Sequence, residues 1–251
     1  MTHPFEINDQ VTINATPDEV WDAIATGPGI DSWFMGHSEV EPREGGRNSM
    51  TLFGSTSGST VTAWEPGRRF AFRSDENPED GTFMAFEYLV EGRGDGSTLV
   101  RFVHSGLLAG DDWEAEYDAL REGDPMYLKK LAVYVEHFAG RHATHNLFLP
   151  GSPVADRSAV WSAFTSVLGV TDEVTEGAKV SVALPGHPAD EGVVAVADSP
   201  HYVLIRTADG IYLLEHGFQD RVVFVYHGFG ESIDEQELQS AAQSWLSTAF
   251  A

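Results

Sequence analysis

Cysteine is absent from the 251-residue sequence, which excludes disulfide bonds, thiolate catalysis and cysteine-based metal sites. Lysine is scarce and occurs only at Lys129, Lys130 and Lys179, and 39 acidic against 15 basic residues give a formal net charge of −24. Because this charge repels phosphate backbones and anionic membranes, we expect neither a nucleic-acid nor a membrane partner. The acidity fits either solubility in an ordinary cytoplasm or adaptation to high salt.

Long apolar runs are missing as well. No segment approaches the roughly 20 apolar residues that span a bilayer, and the first ten residues, MTHPFEINDQ, have neither the basic nor the apolar region of a signal peptide. We therefore expect a cytoplasmic protein. Phosphate-binding GxxxxGK[ST] and nucleophile-elbow GxSxG motifs are also missing, which disfavours nucleotide and serine-hydrolase chemistry.

Residues 124–140 predict a long amphipathic helix. Asp124 suits the N-cap, Pro125 the first helical position and Gly140 the terminating turn. One predicted face carries Tyr127, Leu131, Tyr134, Val135 and Phe138, and the other carries Lys129, Lys130, Glu136 and His137. Such an apolar face needs a broad partner, and the upstream strands supply the only candidate. We therefore expect a curved antiparallel sheet wrapped around this helix.

The upstream strands are predicted from alternating apolar and polar residues between glycine- and proline-containing turns. The predicted strands cover residues 5–14, 38–41, 47–53, 59–65, 69–75, 82–91 and 97–104. Residues 113–123 predict a helical segment that leads into the closing helix. Short strands at this spacing form a meander or half-barrel.

The second half repeats the order of the first. A strand, a proline turn and a helix carrying Val-Trp open both halves, at Val20-Trp21 and at Val160-Trp161. Both halves also end in an amphipathic helix, and Ser232 with Glu235 forms a candidate capping box for the second one. We predict a complete domain at residues 1–141 and a reduced second copy at 142–251.

Several short features of the first half carry a family resemblance. They are Thr16-Pro17-Asp18-Glu19-Val20-Trp21, Asp31-Ser32-Trp33-Phe34, Glu44-Gly45-Gly46, Pro66-Gly67-Arg68-Arg69-Phe70 and the run from Gly96 to Leu107 followed by Trp113. In this order they resemble the START-like superfamily, also labelled SRPBCC and related to polyketide cyclases, and within it the branch named for the activator of the heat-shock-protein-90 ATPase. The resemblance implies tandem α+β helix-grip domains, each a curved antiparallel sheet around a long C-terminal helix with an apolar cavity between them.

Large apolar side chains on the predicted cavity-lining segments are the candidates for ligand contact. They are Trp33, Met35, Met50, Phe72, Phe86, Tyr88, Phe102, Trp113, Tyr117, Tyr134 and Phe138. These side chains either line a cavity or fill the core by packing against one another. The first hypothesis is non-catalytic binding of a small hydrophobic molecule.

Two other functions stay open. A cavity enzyme of the cyclase, dehydratase or hydrolase kind would use His37 or His104 as its acid or base. His37 can face either the pocket or water, and His104 ends a predicted strand, where the resemblance places the cavity rim. A chaperone-linked interaction module, with a protein partner or a homodimer, is the other alternative.

No cofactor is expected, and we expect no metal site. His142 and His145 have the spacing of helical metal ligands, but no third ligand follows them in sequence. A polar linker explains them better.

Overall fold

The computed structural model of the protein describes residues 2–170, 173–230 and 234–250. The chain divides into two compact units, Met1–His142 and Ala143–Ala251. The first unit contains β1 (Thr2–Ile13), α1 (Pro17–Ala25), α2 (Gly27–Asp31), β2 (His37–Val40), β3 (Arg47–Leu52), β4 (Ser55–Glu65), β5 (Arg69–Ser74), β6 (Phe83–Gly92), β7 (Thr98–Ala109) and α3 (Trp113–Phe138). The second contains β8 (His145–Pro153), α4 (Arg157–Val167), β9 (Lys179–Val182), β10 (Asp190–Asp198), β11 (Tyr202–Thr207), β12 (Gly210–His216), a 3₁₀ helix (Phe218–Asp220), β13 (Arg221–Gly228) and α5 (Glu235–Ala249).

The first unit is one antiparallel sheet of seven strands in the order β1-β7-β6-β5-β4-β3-β2. Strands β1 and β7 pair along their whole length, from Thr2 opposite Ala109 to Ile13 opposite Thr98. Helix α3 contacts both of these strands and α1 contacts β6. We call the side of the sheet that packs against α3 its inner face. The predicted α+β class, a sheet closed by a long C-terminal helix, is confirmed.

The second unit repeats this topology with one strand fewer. Its sheet runs β8-β13-β12-β11-β10-β9, so the first strand again lies beside the last. The helix after the first strand carries Val160 at the position of Val20 in the first unit, and both valines are fully buried. Phe164, Phe224 and Trp245 belong to one core cluster that joins α4, the sheet and α5. The predicted tandem of helix-grip folds is therefore confirmed.

Helix α3 is longer than predicted. It runs without interruption from Trp113 to Phe138 and contains Pro125 in its interior, so the predicted helix start at Asp124 was wrong. Proline within a helix removes one hydrogen bond and costs about 3 kcal/mol. Burial offsets that cost, because the first half of α3 packs Trp113, Tyr117 and Leu120 against Phe5, Ile7 and Leu108 of the sheet.

Lys130 was predicted to lie on the polar face of the helix, but in the structure it is buried. Its side chain is 1% exposed, and its Nζ lies 5.5 Å from the centre of the Tyr127 ring. The prediction assumed one buried face, whereas Met126, Leu128, Lys130, Leu131 and Val133 are all buried. Burial therefore extends around this half of the helix.

Local side-chain hydrogen bonds fix the N-termini of α1 and α5. Thr16 and Glu19 form a reciprocal capping box at α1, and Asp234 caps α5 by accepting from the N–H groups of Gln236 and Glu237. The predicted capping residue Ser232 lies outside the described residues. Among the described helices, none is long and apolar enough to cross a membrane.

Candidate functional site

Two rows of side chains cross the inner face of the first sheet. Directly paired residues of neighbouring strands point to the same face, so the pairing register defines each row. The row that we call the His104 row contains Ile7, His104, Phe86, Phe72 and Val61. The adjacent Tyr88 row contains Asp9, Phe102, Tyr88 and Phe70.

Aromatic stacking continues along the His104 row. The Phe72 and Phe86 rings are stacked with centroids 4.9 Å apart, and Phe86 is stacked on the His104 imidazole at 4.3 Å. The rows are unequally covered, since Phe70 is fully buried whereas Phe72 and Phe86 are only half-buried. Part of the inner face is therefore an accessible aromatic surface.

His104 occupies the middle of β7 and is 2% exposed. Its Nδ1 lies 3.0 Å from Oδ2 of Asp124 on α3. A carboxylate accepts the Nδ1–H of a neutral imidazole, which leaves Nε2 as an unprotonated acceptor. Within the described part of the chain, the buried Nε2 has no hydrogen-bond partner. Leaving a buried polar atom without a partner costs about 1–3 kcal/mol.

The local backbone leaves room for this arrangement at Gly106. The residue lies opposite Phe5 in β1, and a Cβ added to it would be 3.1 Å from the Phe5 ring and 2.1 Å from the Phe83 carbonyl oxygen. Glycine at this position lets the Phe5 ring meet the edge of His104, with centroids 5.1 Å apart. The imidazole is therefore enclosed by Phe5 as well as Phe86.

Two further polar groups belong to the same region. Burial raises the pKa of the Tyr88 hydroxyl, and the negative charge of Asp124 raises it further. Burial, again followed by repulsion from Asp124, raises the pKa of the Asp9 carboxyl. The Asp124 carboxylate, which orients His104, therefore also acts electrostatically on both of these groups. Four polar side chains on three strands and one helix converge within an aromatic surface.

The predicted ligand residues separate into three groups in the structure. Phe72, Phe86, Tyr88 and Phe102 lie together in the two rows. Trp113 and Tyr117 lie at the start of α3, where Trp113 stacks on His3 at 4.2 Å and Tyr117 meets Phe5 at 6.3 Å. The third group consists of Trp33, Met35, Met50, Tyr134 and Phe138, none of which belongs to either row.

Three members of that third group are buried in the core. Trp33 is 2% exposed and donates its indole N–H to the Ala23 carbonyl at 2.9 Å. Tyr134 donates its hydroxyl to the Arg141 carbonyl at 3.0 Å, and Phe138 is 3% exposed. Met35 and Met50 are half-buried. For Trp33 and Tyr134 the structure thus shows hydrogen bonds to the backbone, which fix the packing of α1 and the end of α3.

The two candidate histidines have opposite environments. The His37 side chain is 70% exposed, and its Nδ1 lies 2.7 Å from Asp31. His104 is buried, and its predicted place at a strand end was wrong, because β7 continues to Ala109 in register with β1. Of the two histidines predicted as an alternative catalytic base, His104 is therefore the one on the inner face.

Sequence reasoning missed Asp124 and Asp9 as site residues. Asp124 is seven residues from both Tyr117 and Leu131, so helical periodicity places it on their apolar face. Asp9 alternates with Phe5 and Ile7 and therefore shares their side of β1. An acidic residue at an apolar position was the signal in both cases.

His142 and His145, which have the spacing of metal ligands in the sequence, each pair with a carboxylate in the structure. His142 Nε2 lies 2.9 Å from Asp22, and His145 Nδ1 lies 2.9 Å from Glu235. Across residues 2–170, 173–230 and 234–250, no cluster of three or more His, Asp or Glu side chains is arranged to hold a metal ion.

Residues 4–131 match the family described as polyketide cyclase / dehydrase and lipid transport. The chain belongs to this family. The family match confirms the predicted START-like, polyketide-cyclase-like relationship. A comparison with curated proteins found no match.

Solved structures similar to this family member include one of comparable length. The di-domain ARO/CYC BexL of the BE-7585A biosynthetic pathway is 15% identical over 97% of this chain and 94% of its own, with a TM-score of 0.48. The Aha1 dimer from Colwellia psychrerythraea is 21% identical over 53% of this chain and 96% of its own, with a TM-score of 0.44. Protein MLL2253 from Mesorhizobium loti is 20% identical over 53% and 98%, with a TM-score of 0.46.

The His104–Asp124 pair should show strong energetic coupling. We expect a double-mutant cycle of His104→Phe and Asp124→Leu to give a coupling energy of about 1–3 kcal/mol, because each single variant leaves a buried polar group unpaired and the double variant does not. The surface pair His142–Asp22, whose side chains are 43% and 40% exposed, provides the matched cycle, with coupling below about 1 kcal/mol. Urea unfolding of the unmodified chain and the six variants measures both values, and equal coupling in the two cycles would contradict the assignment.

Proposed function

We propose that the first unit binds a small, flat, apolar molecule against the His104 row. The observation that carries this proposal is the half-buried state of Phe72 and Phe86, which share the inner face with the fully buried Phe70. Aromatic rings that stay accessible on a core-facing surface offer stacking partners to a ligand ring.

The polar groups support the same proposal. Binding sites for small molecules are apolar surfaces with a few convergent polar groups that set orientation. His104 Nε2 has no hydrogen-bond partner among the described residues, and the Tyr88 hydroxyl and the Asp9 carboxyl lie in the electrostatic field of Asp124. A ligand with one polar substituent on an apolar ring matches this arrangement.

The second unit contributes no second site in this proposal. Phe164, Tyr212 and Phe224 are at most 2% exposed and belong to one core cluster with Trp245. Closely packed side chains of this kind fill the space between sheet and helices. We therefore expect one ligand per chain.

Fluorescence titration with N-phenyl-1-naphthylamine, a neutral aromatic probe, tests the proposal on the full chain. We expect saturable 1:1 binding that Phe86→Ser weakens at least tenfold, because the variant removes a ring from the proposed binding surface. Phe83→Ser is the matched control. Phe83 lies in the same strand and is also half-buried, but it points to the opposite face, beneath the Arg73 guanidinium 3.8 Å away.

Two results would count against the proposal. One is equal loss of probe binding in both variants, with circular dichroism showing that both are folded. The other is binding of two probes per chain. Native mass spectrometry of the purified protein provides an independent measurement, in which a co-purified apolar compound is expected at a ratio of one to one.

A further inference from the structure

We propose that His104 and Asp124 act as a proton-accepting pair on the bound molecule, with His104 as the catalytic base and Asp124 as its positioning residue. The inference rests on the proposed function, since the substrate must first occupy the His104 row. It adds a reaction class to that binding site. The substrate class is an apolar ring system with an acidic C–H next to a carbonyl or an equivalent electron-withdrawing group.

Geometry is the first argument for this assignment. Asp124 Oδ2 lies 3.0 Å from His104 Nδ1 and thereby selects the tautomer whose Nε2 lone pair is free to accept a proton. The same carboxylate stabilises the imidazolium that forms when the proton arrives. A carboxylate, an imidazole and an open acceptor atom are the parts that general-base catalysis needs.

Burial is the second argument. The two side chains are 3% and 13% exposed, which is a costly place for an ionisable pair. The sheet surroundings are apolar, with Phe5, Phe86 and Phe102 around the imidazole. Folding alone does not require a polar pair at two positions that alternate with apolar residues. In such surroundings the base meets a bound C–H group without competition from water.

Access to Nε2 runs past Phe86. This ring covers the imidazole at 4.3 Å and is itself half-buried, so rotation of its side chain exposes the base to a molecule on the inner face. A flat substrate then lies between the Phe86 ring and the imidazole and stacks on both. The residue that holds the base closed in the free protein is thus part of the proposed binding surface.

The proposed step balances without a co-reactant. Nε2 takes the proton of the C–H group, the electron pair of the broken C–H bond forms a C=C bond, and the carbonyl oxygen becomes an enolate. Tyr88 lies in the neighbouring row and keeps its proton, so its hydroxyl can donate a hydrogen bond to that oxygen. Return of the proton from Nε2 to a different atom of the enolate system then completes an isomerisation.

A Kemp elimination of 5-nitrobenzisoxazole tests the base directly. Removal of the ring C–H proton breaks the N–O bond and releases a coloured cyanonitrophenolate, so the assay reports a base in an apolar site without knowledge of the natural substrate. We expect the full chain to accelerate this reaction over buffer. His104→Gln should reduce the acceleration by about 100-fold or more, and Asp124→Asn should lower kcat with little change in KM.

His37→Gln is the matched control, because His37 is also paired with an aspartate but is exposed. We expect this variant to retain the full rate. Equal rates in the His104→Gln variant and the unmodified chain would overturn the proposal, and so would a loss of rate in the His37→Gln variant that matches the loss in His104→Gln.

Binding of N-phenyl-1-naphthylamine to the same proteins separates the two proposals. If the probe binds to the full chain and no acceleration is seen, the base assignment fails while the binding function stands. If the probe does not bind and the rate equals that of buffer, both proposals fail. Acceleration that requires His104, together with saturable probe binding to the unmodified chain, supports both.

Discussion

Phe70→Ala is expected to lower the free energy of unfolding of the first unit by about 3–5 kcal/mol. Phe70 is fully buried, and its ring contacts three aromatic neighbours, Trp64 at 5.5 Å, Phe72 at 5.3 Å and Trp21 at 6.3 Å. Truncation leaves a cavity that these rigid rings cannot fill. Urea denaturation followed by tryptophan fluorescence measures the loss, because Trp21 and Trp64 report on the same cluster.

Phe72→Ala is the matched variant for this experiment. Phe72 lies on the same strand and the same face two residues away, but it is only half-buried. We expect less than half of the loss in stability, together with weaker binding of the naphthylamine probe. If the two variants lose equal stability, Phe72 is a core residue and the accessible aromatic surface is smaller than proposed.

A steep loss of stability is expected at alkaline pH. Burial raises the pKa of four tyrosines, Tyr88, Tyr134, Tyr212 and Tyr226. In the unfolded chain tyrosine ionises at about pH 10, so below that pH both states are protonated and the stability is fully present. Above it only the unfolded state releases protons. With two such tyrosines in each unit, unfolding should become easier by about 3 kcal/mol per pH unit for each unit.

Urea midpoints at increasing pH measure this slope, and tyrosinate absorbance should rise together with the loss of circular dichroism. Tyr226→Phe is a suitable control, because Tyr226 is 1% exposed and its pKa is raised by burial and by Asp190 and Asp209. This variant should halve the slope of the second unit and leave that of the first unchanged. Ionisation of most tyrosines in a chain that remains folded would disprove the explanation.

Much of the fold is predictable from the sequence because its signals are local. Thr16-Pro17 opens a helix by capping chemistry, and glycine-rich turns separate alternating strands whose order the structure reproduces. The internal repeat is visible for the same reason, since Val20 and Val160 mark equivalent helices. Both features depend on residues that are close in sequence.

The ends of the elements were less predictable, because pairing and packing at long range decide them. Asp124-Pro125 is a helix-start signal that α3 overrides, since the apolar face on both sides of the proline packs against the sheet. The last strand of the first half was predicted to end at residue 104, yet β7 continues because β1 supplies a partner for every residue up to Ala109. Neither partner can be identified from the local sequence.

The candidate site was harder still to predict, because it also depends on partners that are distant in sequence. His104 was recognised as a titratable residue, but its importance depends on a partner twenty residues away on another element. Asp124 was predicted to be a cap because aspartate is a preferred N-cap residue and proline suits the first helical position. An acidic residue at an apolar helical position remains the one local indication of the pair.

The stacking of Phe86 on His104 has a spectroscopic consequence. A proton above or below an aromatic ring is shielded by the ring current, and the imidazole of His104 lies 4.3 Å from the centre of Phe86 with its plane inclined by only 27°. Its carbon-bound protons should therefore resonate upfield of those of the exposed His37. One resolved NMR signal would then report whether Phe86 has moved, and hence whether a ligand has entered the His104 row.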